Sequence, residues 1–290
     1  MITLAGVLQE AESQLLQAGV EEAKLDAWYL AMECFGISRT DYYMNPNREI
    51  KEEQYTRYKT MIEARAKRIP YQYLINQQEF MGLQFYVNEN VLIPRQDTEV
   101  LVELAMKQAD DADILDMCTG SGCIILSLGK LCKPKSLTAV DISSEALEVA
   151  KKNARNLEVP VTFIESNVFD KVTGTYDIIV SNPPYIPTKV IEGLMPEVKE
   201  HEPMLALDGL EDGLHFYRIL AKEAYKYLRK DGYIFLEIGH NQGEEVKNLL
   251  MDAGFTEVNI VKDLPGHDRV VVGKIQGDLS PGIIVGKYPR

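Results

Sequence analysis

The chain has 290 residues, of which 46% are hydrophobic and 26% charged, and its formal net charge at pH 7 is −13. This composition predicts a globular protein long enough for two domains, and the acidic balance argues against broad, unspecific binding to nucleic-acid phosphates. No apolar run approaches the length of a membrane span and no signal peptide opens the chain, so we expect a cytoplasmic protein without membrane contact.

Four cysteines and four histidines are scattered along the chain. No CxxC pair occurs, and the second histidine of a zinc-protease motif is missing after His201-Glu202. The sequence therefore predicts no metal site, and reduced structural thiols are expected.

Residues 1–75 are predicted to form a small all-helical domain. Apolar stripes with helical spacing run over residues 4–16 and 25–35, and Gly36 stands where a helix C-terminal cap belongs. A third helix is expected over residues 51–66.

A basic stretch lies within this helical segment. Between Arg48 and Arg68, seven lysines and arginines accompany four glutamates. Such a stretch is most often a solvated helix face with ion pairs between neighbouring turns, and we favour that interpretation. The alternative is a docking surface for a partner that carries RNA.

Residues 76–95 are predicted to connect the helical domain to the rest of the chain. Their apolar residues suit a β-hairpin centred on Gly82. A turn then leads into a helix that is expected from about Thr98 to Gln108.

From Asp113 onward, strand and helix patterns alternate. Strands are predicted at 113–118, 136–141, 161–165, 176–181, 232–238, 255–261 and 268–273, and helices at 122–131, 143–156, 212–229 and 242–253. The alternation implies an α/β domain over residues 96–275, with a seven-stranded, mostly parallel sheet. The last two strands could pair as an antiparallel edge, and residues 276–290 are expected to be a flexible tail.

The loop Cys118-Thr119-Gly120-Ser121-Gly122 follows the first strand of this domain. Gly120 and Gly122 would let a ligand approach the backbone, and the start of the next helix favours a carboxylate or a phosphate. A Gly-x-Gly loop alone is weak evidence, because nucleotide-binding folds of many kinds contain one.

The ends of the next two strands also carry polar residues. Asp141 can accept both hydroxyls of a ribose, or it can cap the helix that starts at Ser143. Asn167 can contact an adenine edge while Val168 or Phe169 packs on the ring; the alternative is a turn with a core phenylalanine.

Asn182-Pro183-Pro184-Tyr185 ends the fourth strand of the α/β domain. Two prolines forbid continuation of the sheet, so Asn182 is expected at the carboxyl edge, where such sheets bind ligands. The Asn182 side-chain oxygen and the Pro183 carbonyl are two acceptors that suit a planar NH2 group, and Tyr185 offers a flat face beside it. Seen alone, the motif could equally be a turn that ends the strand.

Together these residues fit either NAD or S-adenosylmethionine. Ile124-Ile125 replaces the third glycine of GxGxxG, which weakens the NAD interpretation. With Asn182-Pro183-Pro184-Tyr185 added, the chain resembles a class I S-adenosylmethionine-dependent methyltransferase that acts on a planar nitrogen.

The resemblance extends over nearly the full length to the peptide chain release factor glutamine methyltransferases (the PrmC/HemK family). Besides the helical domain, the hairpin and the two loops above, the chain has this family's further motifs in order: Leu92-Ile93-Pro94-Arg95 with Asp97-Thr98-Glu99, Glu202-Pro203 with Ala206-Leu207-Asp208-Gly209, Glu237-Ile238-Gly239 with Gln242-Gly243, and Asp268-Arg269-Val270-Val271. The four-residue Asn-Pro-Pro-Tyr motif is shared with adenine-N6 and guanine-N2 methyltransferases, but the full series is specific.

The resemblance implies N5-methylation of the glutamine in the Gly-Gly-Gln motif of release factors, with S-adenosylmethionine as cofactor and residues 1–75 as the substrate-recognition domain. On this hypothesis, cofactor binding falls to the loop 118–122 and to Asp141, Asn167, Val168 and Asn182. Asn182, Pro183 and Tyr185 are the candidate catalytic residues, and Pro184 joins them in substrate binding. We expect a monomer that contacts a release factor and no nucleic acid directly.

Three positions depart from the family pattern. Cys118 stands where glycine is usual, Gln96 replaces a usual proline, and Asn167-Val168 replaces an aspartate followed by a bulky aromatic residue. None of these changes touches Asn182 or Pro183, so we expect the reaction to be unchanged.

Three questions stay open at this stage. Glu202-Pro203 could shape the lip of the pocket or form a structural turn. A nucleic-acid methyltransferase would present a flipped base amine to the same two acceptors. A degenerate methyltransferase fold that only binds a ligand is the third alternative, and the intact Asp141 argues against it.

Overall fold

The computed structural model describes residues 2–276, so the tail predicted to be flexible lies, apart from its first residue, outside the described part of the chain. Within these residues the helices are α1 (Leu4–Gln17), α2 (Ala23–Phe35), α3 (Arg39–Met44), α4 (Glu52–Ala66), α5 (Tyr71–Ile75), α6 (Glu99–Met106), α7 (Cys123–Leu131), α8 (Ser144–Leu157), α9 (Thr188–Ile191), α10 (Pro196–Lys199), α11 (Met204–Leu207), α12 (His215–Ala224) and α13 (Gly243–Asp252). The strands are β1 (Gln78–Phe80), β2 (Leu83–Phe85), β3 (Asp113–Met117), β4 (Ser136–Asp141), β5 (Thr162–Glu165), β6 (Tyr176–Ser181), β7 (Leu228–Glu237), β8 (Thr256–Lys262) and β9 (Asp268–Lys274).

Helices α1, α2 and α4 confirm the three helices predicted near the N-terminus. Their apolar faces meet in one core, in which the buried Tyr58 hydroxyl donates a hydrogen bond of 2.9 Å to the Ala27 carbonyl. Gly36 ends α2 in a left-handed conformation (φ 61°), as its position predicted. The short helices α3 and α5 were not predicted.

The connector is a β-hairpin, as predicted. Met81 and Gly82 both have positive φ angles (52° and 71°), as a two-residue hairpin turn of type I′ requires. A small apolar cluster that includes Tyr73, Val91 and Val149 then holds the connector against α8.

The large sheet has the strand order β5-β4-β3-β6-β7-β9-β8. The first five strands are parallel, and β9 runs antiparallel to both neighbours, which confirms the predicted antiparallel edge. Strand β7 starts earlier than predicted because Leu228 already pairs with Tyr176, so α12 is shorter than the predicted helix.

Apolar side chains cover both faces of this sheet in two separate clusters. The carboxyl ends of the parallel strands meet at one edge, and the strand order reverses between β3 and β6. In open α/β sheets this switch point is where ligands bind. Within residues 2–276, no helix combines the length and the apolar character needed to cross a membrane.

Candidate active site

A cleft of about 1080 Å³, its open mouth included, lies at the carboxyl edge of β3 to β6. Most of the predicted site residues line it: Cys118, Thr119, Gly120, Ser121, Asp141, Asn167, Val168, Asn182 and Pro184. Gly122, Pro183 and Tyr185 adjoin these residues in sequence but are not part of the lining. The structure thus brings residues from four strand ends to one concave surface.

The loop after β3 turns sharply enough to expose its backbone. Cys118, Gly120 and Gly122 all have positive φ angles (63°, 53° and 80°), which a cysteine rarely adopts. No atom lies within 4 Å of the place where a Cβ on Gly120 would stand, so space remains beside its backbone. Gly122 is the N-cap of α7, as the predicted helix start requires.

Asp141 ties this loop to the end of β4. One carboxylate oxygen accepts a hydrogen bond of 2.8 Å from the Gly120 amide, and the other accepts one of 3.0 Å from the Ser143 amide. The N-cap of α8 is Ser143 itself, whose hydroxyl accepts from Ala146, so Asp141 does not cap the helix. Burial raises the pKa of Asp141, and the carboxylate still faces the cleft.

At the end of β5, Val168 and Asn167 line the cleft and Phe169 does not. Phe169 is buried and stacks on Tyr227 with ring centroids 4.7 Å apart, so it belongs to the core. Val168 has a φ of 45°, which is strained for a β-branched residue. Of the two residues predicted to pack on a base, only Val168 is in place to do so.

Asn182 has a defined orientation at the end of β6. Its side-chain nitrogen donates to the Thr98 hydroxyl oxygen over 3.4 Å, which is long for a hydrogen bond. Among residues 2–276, no group donates to the Asn182 side-chain oxygen or to the Pro183 carbonyl. Two acceptors are therefore available next to each other in the chain.

The backbone that follows Asn182 is fixed by hydrogen bonds and by close packing on the side away from the cleft. The Gln242 side chain donates to the Tyr185 carbonyl (3.0 Å) and the Gly213 carbonyl (3.3 Å), and it accepts from the Gly239 amide (2.9 Å). A Cβ on Gly213 would lie 2.3 Å from the Tyr185 carbonyl oxygen, and one on Gly209 would lie 2.8 Å from the Tyr185 Cα. This packing explains why glycines stand at both positions.

Three polar residues at the site were not singled out from the sequence: Thr98, Glu237 and Gln242. Glu237 is 1% exposed at the end of β7, and burial raises its pKa to about 7 against the lowering effect of a hydrogen bond from Thr98. Burial and the Glu237 carboxylate together raise the pKa of Tyr185 to about 12. The only sequence signal for these residues was their place in the family motifs.

The outer wall of the cleft is an insertion over residues 186–214, between β6 and α12. Pro203, Leu205 and Ala206 from this insertion line the cleft. Glu202 is buried and forms an ion pair with Arg95, which also lines the cleft. Glu202-Pro203 therefore shapes the lip of the pocket, one of its two predicted roles.

The same insertion is fixed to the helical part of the chain by a largely buried ion cluster. Glu197 accepts hydrogen bonds from Arg65 (2.8 Å) and from Arg68 (2.7 and 2.6 Å), and Arg65 also donates to Asp26 (2.7 Å). Burial alone would raise the pKa of Glu197, but the two arginines outweigh it and bring the pKa to about 2.

This cluster corrects one part of the sequence analysis. The predicted solvated face describes the five exposed basic residues between Arg48 and Lys67 but not Arg65 or Arg68, which turn inward to Glu197. The acidic partner lies about 130 residues along the chain, so helical spacing could not reveal it.

Comparisons with known proteins agree with this architecture. The chain matches the PrmC N-terminal domain family over residues 6–75 and the methyltransferase small domain family over residues 95–196. The crystal structure of a methyltransferase from Pyrococcus furiosus superposes with a TM-score of 0.52 at 19% identity, over 74% of this chain and 98% of that one, which shows the shared fold.

Relatives with higher identity carry one common name. A release factor glutamine methyltransferase of Geobacter sulfurreducens is 40% identical over 94% of this chain and 97% of its own length. The enzyme of the same name from Fusobacterium nucleatum is 42% identical over 92% of this chain and 78% of its own length. The chain therefore belongs to the release factor glutamine methyltransferase family.

Proposed function

We propose that this protein transfers a methyl group from S-adenosylmethionine to the side-chain nitrogen of the glutamine in the Gly-Gly-Gln motif of peptide chain release factors. The observation that carries the proposal is a pair of acceptors to which no described group donates: the side-chain oxygen of Asn182, a residue that lines the cleft, and the carbonyl of the adjoining Pro183. Family membership supports the release factor as substrate. We place the reaction in the cytoplasm and expect a monomeric enzyme.

The cleft residues fit the proposed cofactor. Open space beside Gly120 would admit the methionine part, and Asp141 keeps acceptor capacity for ribose hydroxyls beyond its two backbone hydrogen bonds. The exposed Asn167 amide and the Val168 side chain would contact the adenine. The cofactor supplies, when bound, a methyl group on a sulfonium, which is already an activated leaving group.

Asn182 and Pro183 would orient the substrate nitrogen. An amide nitrogen is a poor nucleophile because its lone pair is delocalised into the carbonyl. When both of its hydrogens donate to fixed oxygens, the nitrogen is directed at the methyl carbon and can pyramidalise. Alignment of this kind can be worth effective molarities of roughly 10⁵–10⁸ M, so the displacement needs no strong base. The proton can leave to water afterwards.

Pro184 and Tyr185 would complete the substrate side of the site. Pro184 lines the cleft directly, whereas the half-buried Tyr185 lies just outside its lining. Burial and the Glu237 carboxylate raise the pKa of Tyr185 to about 12, so it remains a neutral phenol at pH 7. We propose that Tyr185 supports the plane of the amide.

A base-amine methyltransferase is the rival function, because a flipped base could use the same acceptors. The net charge of −13 and the inward-facing Arg65 and Arg68 argue against it. The fold does not distinguish a protein substrate from a nucleic-acid substrate, because one fold can serve enzymes with different substrates.

The test is to incubate the purified protein with S-adenosylmethionine and a purified release factor, and to examine the peptide that contains Gly-Gly-Gln by mass spectrometry. The expected result is a mass gain of one methylene group on the glutamine. A factor with glutamate in place of that glutamine is the control and should gain nothing. Methyl transfer to DNA or RNA, with none to the factor, would overturn the proposal.

A further inference from the structure

One cationic side chain lies in the cleft and is not used in the mechanism above. Among the described residues that line the cleft, Arg95 is the only lysine, arginine or histidine. Its side chain is 40% exposed and forms an ion pair with Glu202, whose side chain is 1% exposed. The Arg95 side chain makes no other hydrogen bond within residues 2–276, so several of its five N–H groups remain available to a ligand.

Arg95 lies near the end of the cleft that Asn182 occupies. The Thr98 amide donates to the Arg95 carbonyl (3.1 Å), and the Thr98 hydroxyl lies 3.4 Å from the Asn182 side-chain nitrogen. The strand order β5-β4-β3-β6 puts Asn182 at the opposite end of the site from Asn167. A cofactor whose adenine lies at Asn167 and whose ribose lies at Asp141 therefore extends its methionine part toward Arg95.

The methionine part of the proposed cofactor ends in a carboxylate, which needs N–H donors or a positive charge. The start of α7 is one candidate, because helix N-termini favour anions. Two backbone amides of the loop before it are already used: the Gly120 amide donates to Asp141, and the Gly122 amide donates to a carbonyl of the same loop (both 2.8 Å). A guanidinium presents a planar pair of N–H groups that matches a carboxylate, so Arg95 is the stronger partner.

We infer that Arg95 binds the carboxylate of the methionine part of S-adenosylmethionine, and that Glu202 positions Arg95 for this contact. Because Glu202 is buried, its carboxylate holds a long and otherwise flexible side chain at one place in the cleft. The guanidinium thus fixes the end of the cofactor opposite the adenine contacts of Asn167 and Val168. The inference rests on the proposed function, because it assumes this cofactor, but binding rather than methyl transfer tests it.

The experiment compares S-adenosylhomocysteine with its decarboxylated analogue, which keeps the adenosine, the thioether and the amine. Isothermal titration calorimetry of the parent should show the analogue binding about 10- to 100-fold more weakly, as loss of charge-assisted hydrogen bonds typically causes. In Arg95→Gln the affinity for S-adenosylhomocysteine should fall by the same factor, whereas the affinity for the analogue should not change. The two ligands should therefore bind Arg95→Gln about equally.

Two further variants guard against general damage. Arg218→Gln is the matched control, because Arg218 is also ion-paired, with Asp212, but does not line the cleft. It should keep the preference of the parent for the carboxylate. Arg95→Gln leaves the buried Glu202 without its charged partner, so Glu202→Gln is added to it in a double variant that removes this charge. The double variant should also bind the two ligands equally.

An unchanged preference in Arg95→Gln would overturn the inference and assign the carboxylate to the backbone amides at the start of α7. Equal affinities of the parent for the two ligands would also overturn it, as would a defect in Arg95→Gln confined to a higher KM for the release factor. A parent with the expected binding pattern but no methyl transfer to a release factor would instead refute the proposed function.

Discussion

The floor of the cleft is held by hydrogen bonds at the strand ends, whereas its outer wall is held by ion pairs between residues far apart in sequence. On the floor, Asp141 binds the backbone of Gly120 and Ser143, at distances of 2.8 and 3.0 Å. On the wall, Glu197 binds Arg65 and Arg68 across about 130 residues of chain. The floor is thus set by backbone geometry and the wall by buried charge, and each can be disturbed separately.

The largest expected effect comes from a side chain forced against the backbone that follows Asn182, where the wall meets the floor. In Gly213→Ala the new Cβ would lie 2.3 Å from the Tyr185 carbonyl oxygen, at a residue with a φ of 76°. Overpacking and left-handed strain together should cost about 5 kcal/mol of unfolding free energy, measured by urea denaturation. Gly174→Ala is the control: its φ is 83° but its Cβ would meet nothing within 4 Å, so about 1–2 kcal/mol is expected. Equal losses for the two variants would show that contact with Tyr185 is unimportant.

On the wall, Glu197→Gln leaves Arg68 without its charged partner and leaves Arg65 with Asp26 alone. We expect a loss of about 4 kcal/mol in unfolding free energy and weaker binding of S-adenosylmethionine, measured by calorimetry. Because Glu197 has a pKa of about 2 in the folded protein and 4.5 ordinarily, its stabilising effect is complete above pH 4.5 and is lost as the pH falls toward 2.

The exposed pair of Glu192 and Lys199 in the same insertion provides the comparison. Glu192→Gln should cost no more than about 1 kcal/mol, because water screens that pair. If Glu197→Gln and Glu192→Gln were equally mild, buried charge would not be what holds the wall.

The contribution of the buried Glu237 to stability should depend on pH in the opposite sense to that of Glu197. Burial raises the pKa of Glu237 from 4.5 to about 7, so the folded state binds this proton more tightly than the unfolded state does. Its stabilising effect is complete below pH 4.5 and is lost as the pH rises through 7. The unfolding free energy of Glu237→Gln minus that of the parent should therefore increase by about 2 kcal/mol from about pH 5.5 to about pH 7.5.

Urea denaturation at both pH values measures that difference. The same substitution at the exposed Glu211 is the control for the loss of one carboxylate at the surface. A constant difference for Glu237→Gln would mean that its carboxyl group ionises as freely in the folded protein as in the unfolded chain.

The smallest effect is expected at Cys118, whose φ of 63° is strained for any residue except glycine. Cys118→Gly should stabilise the protein by up to about 1 kcal/mol, since relief of left-handed strain exceeds the added chain entropy. A thermal melt would show it, and methyl transfer should continue. A lower melting temperature would mean that the cysteine side chain contributes more by packing than its backbone costs.

The same contrast explains what could be predicted from the sequence. All seven strands of the large sheet and the positions of Gly120, Asp141 and Asn182 followed from local patterns, because parallel strands end at one edge. The four-residue helices of the insertion are too short to show a helical repeat of apolar residues. The ion pairs of Glu197 join residues so far apart in sequence that no local pattern could reveal them. Thr98 and Glu237 are buried polar residues whose roles depend on what surrounds them after folding.

The central claim is that the oxygens of Asn182 and Pro183 hold the two hydrogens of the substrate amide. The most direct measurement is a crystal structure of the protein with S-adenosylhomocysteine and a peptide that contains Gly-Gly-Gln. We predict that the glutamine side-chain nitrogen lies about 3 Å from both oxygens, on the side that faces the cofactor sulfur. A glutamine bound elsewhere, or an Asn182 whose nitrogen rather than oxygen faces the amide, would contradict the account.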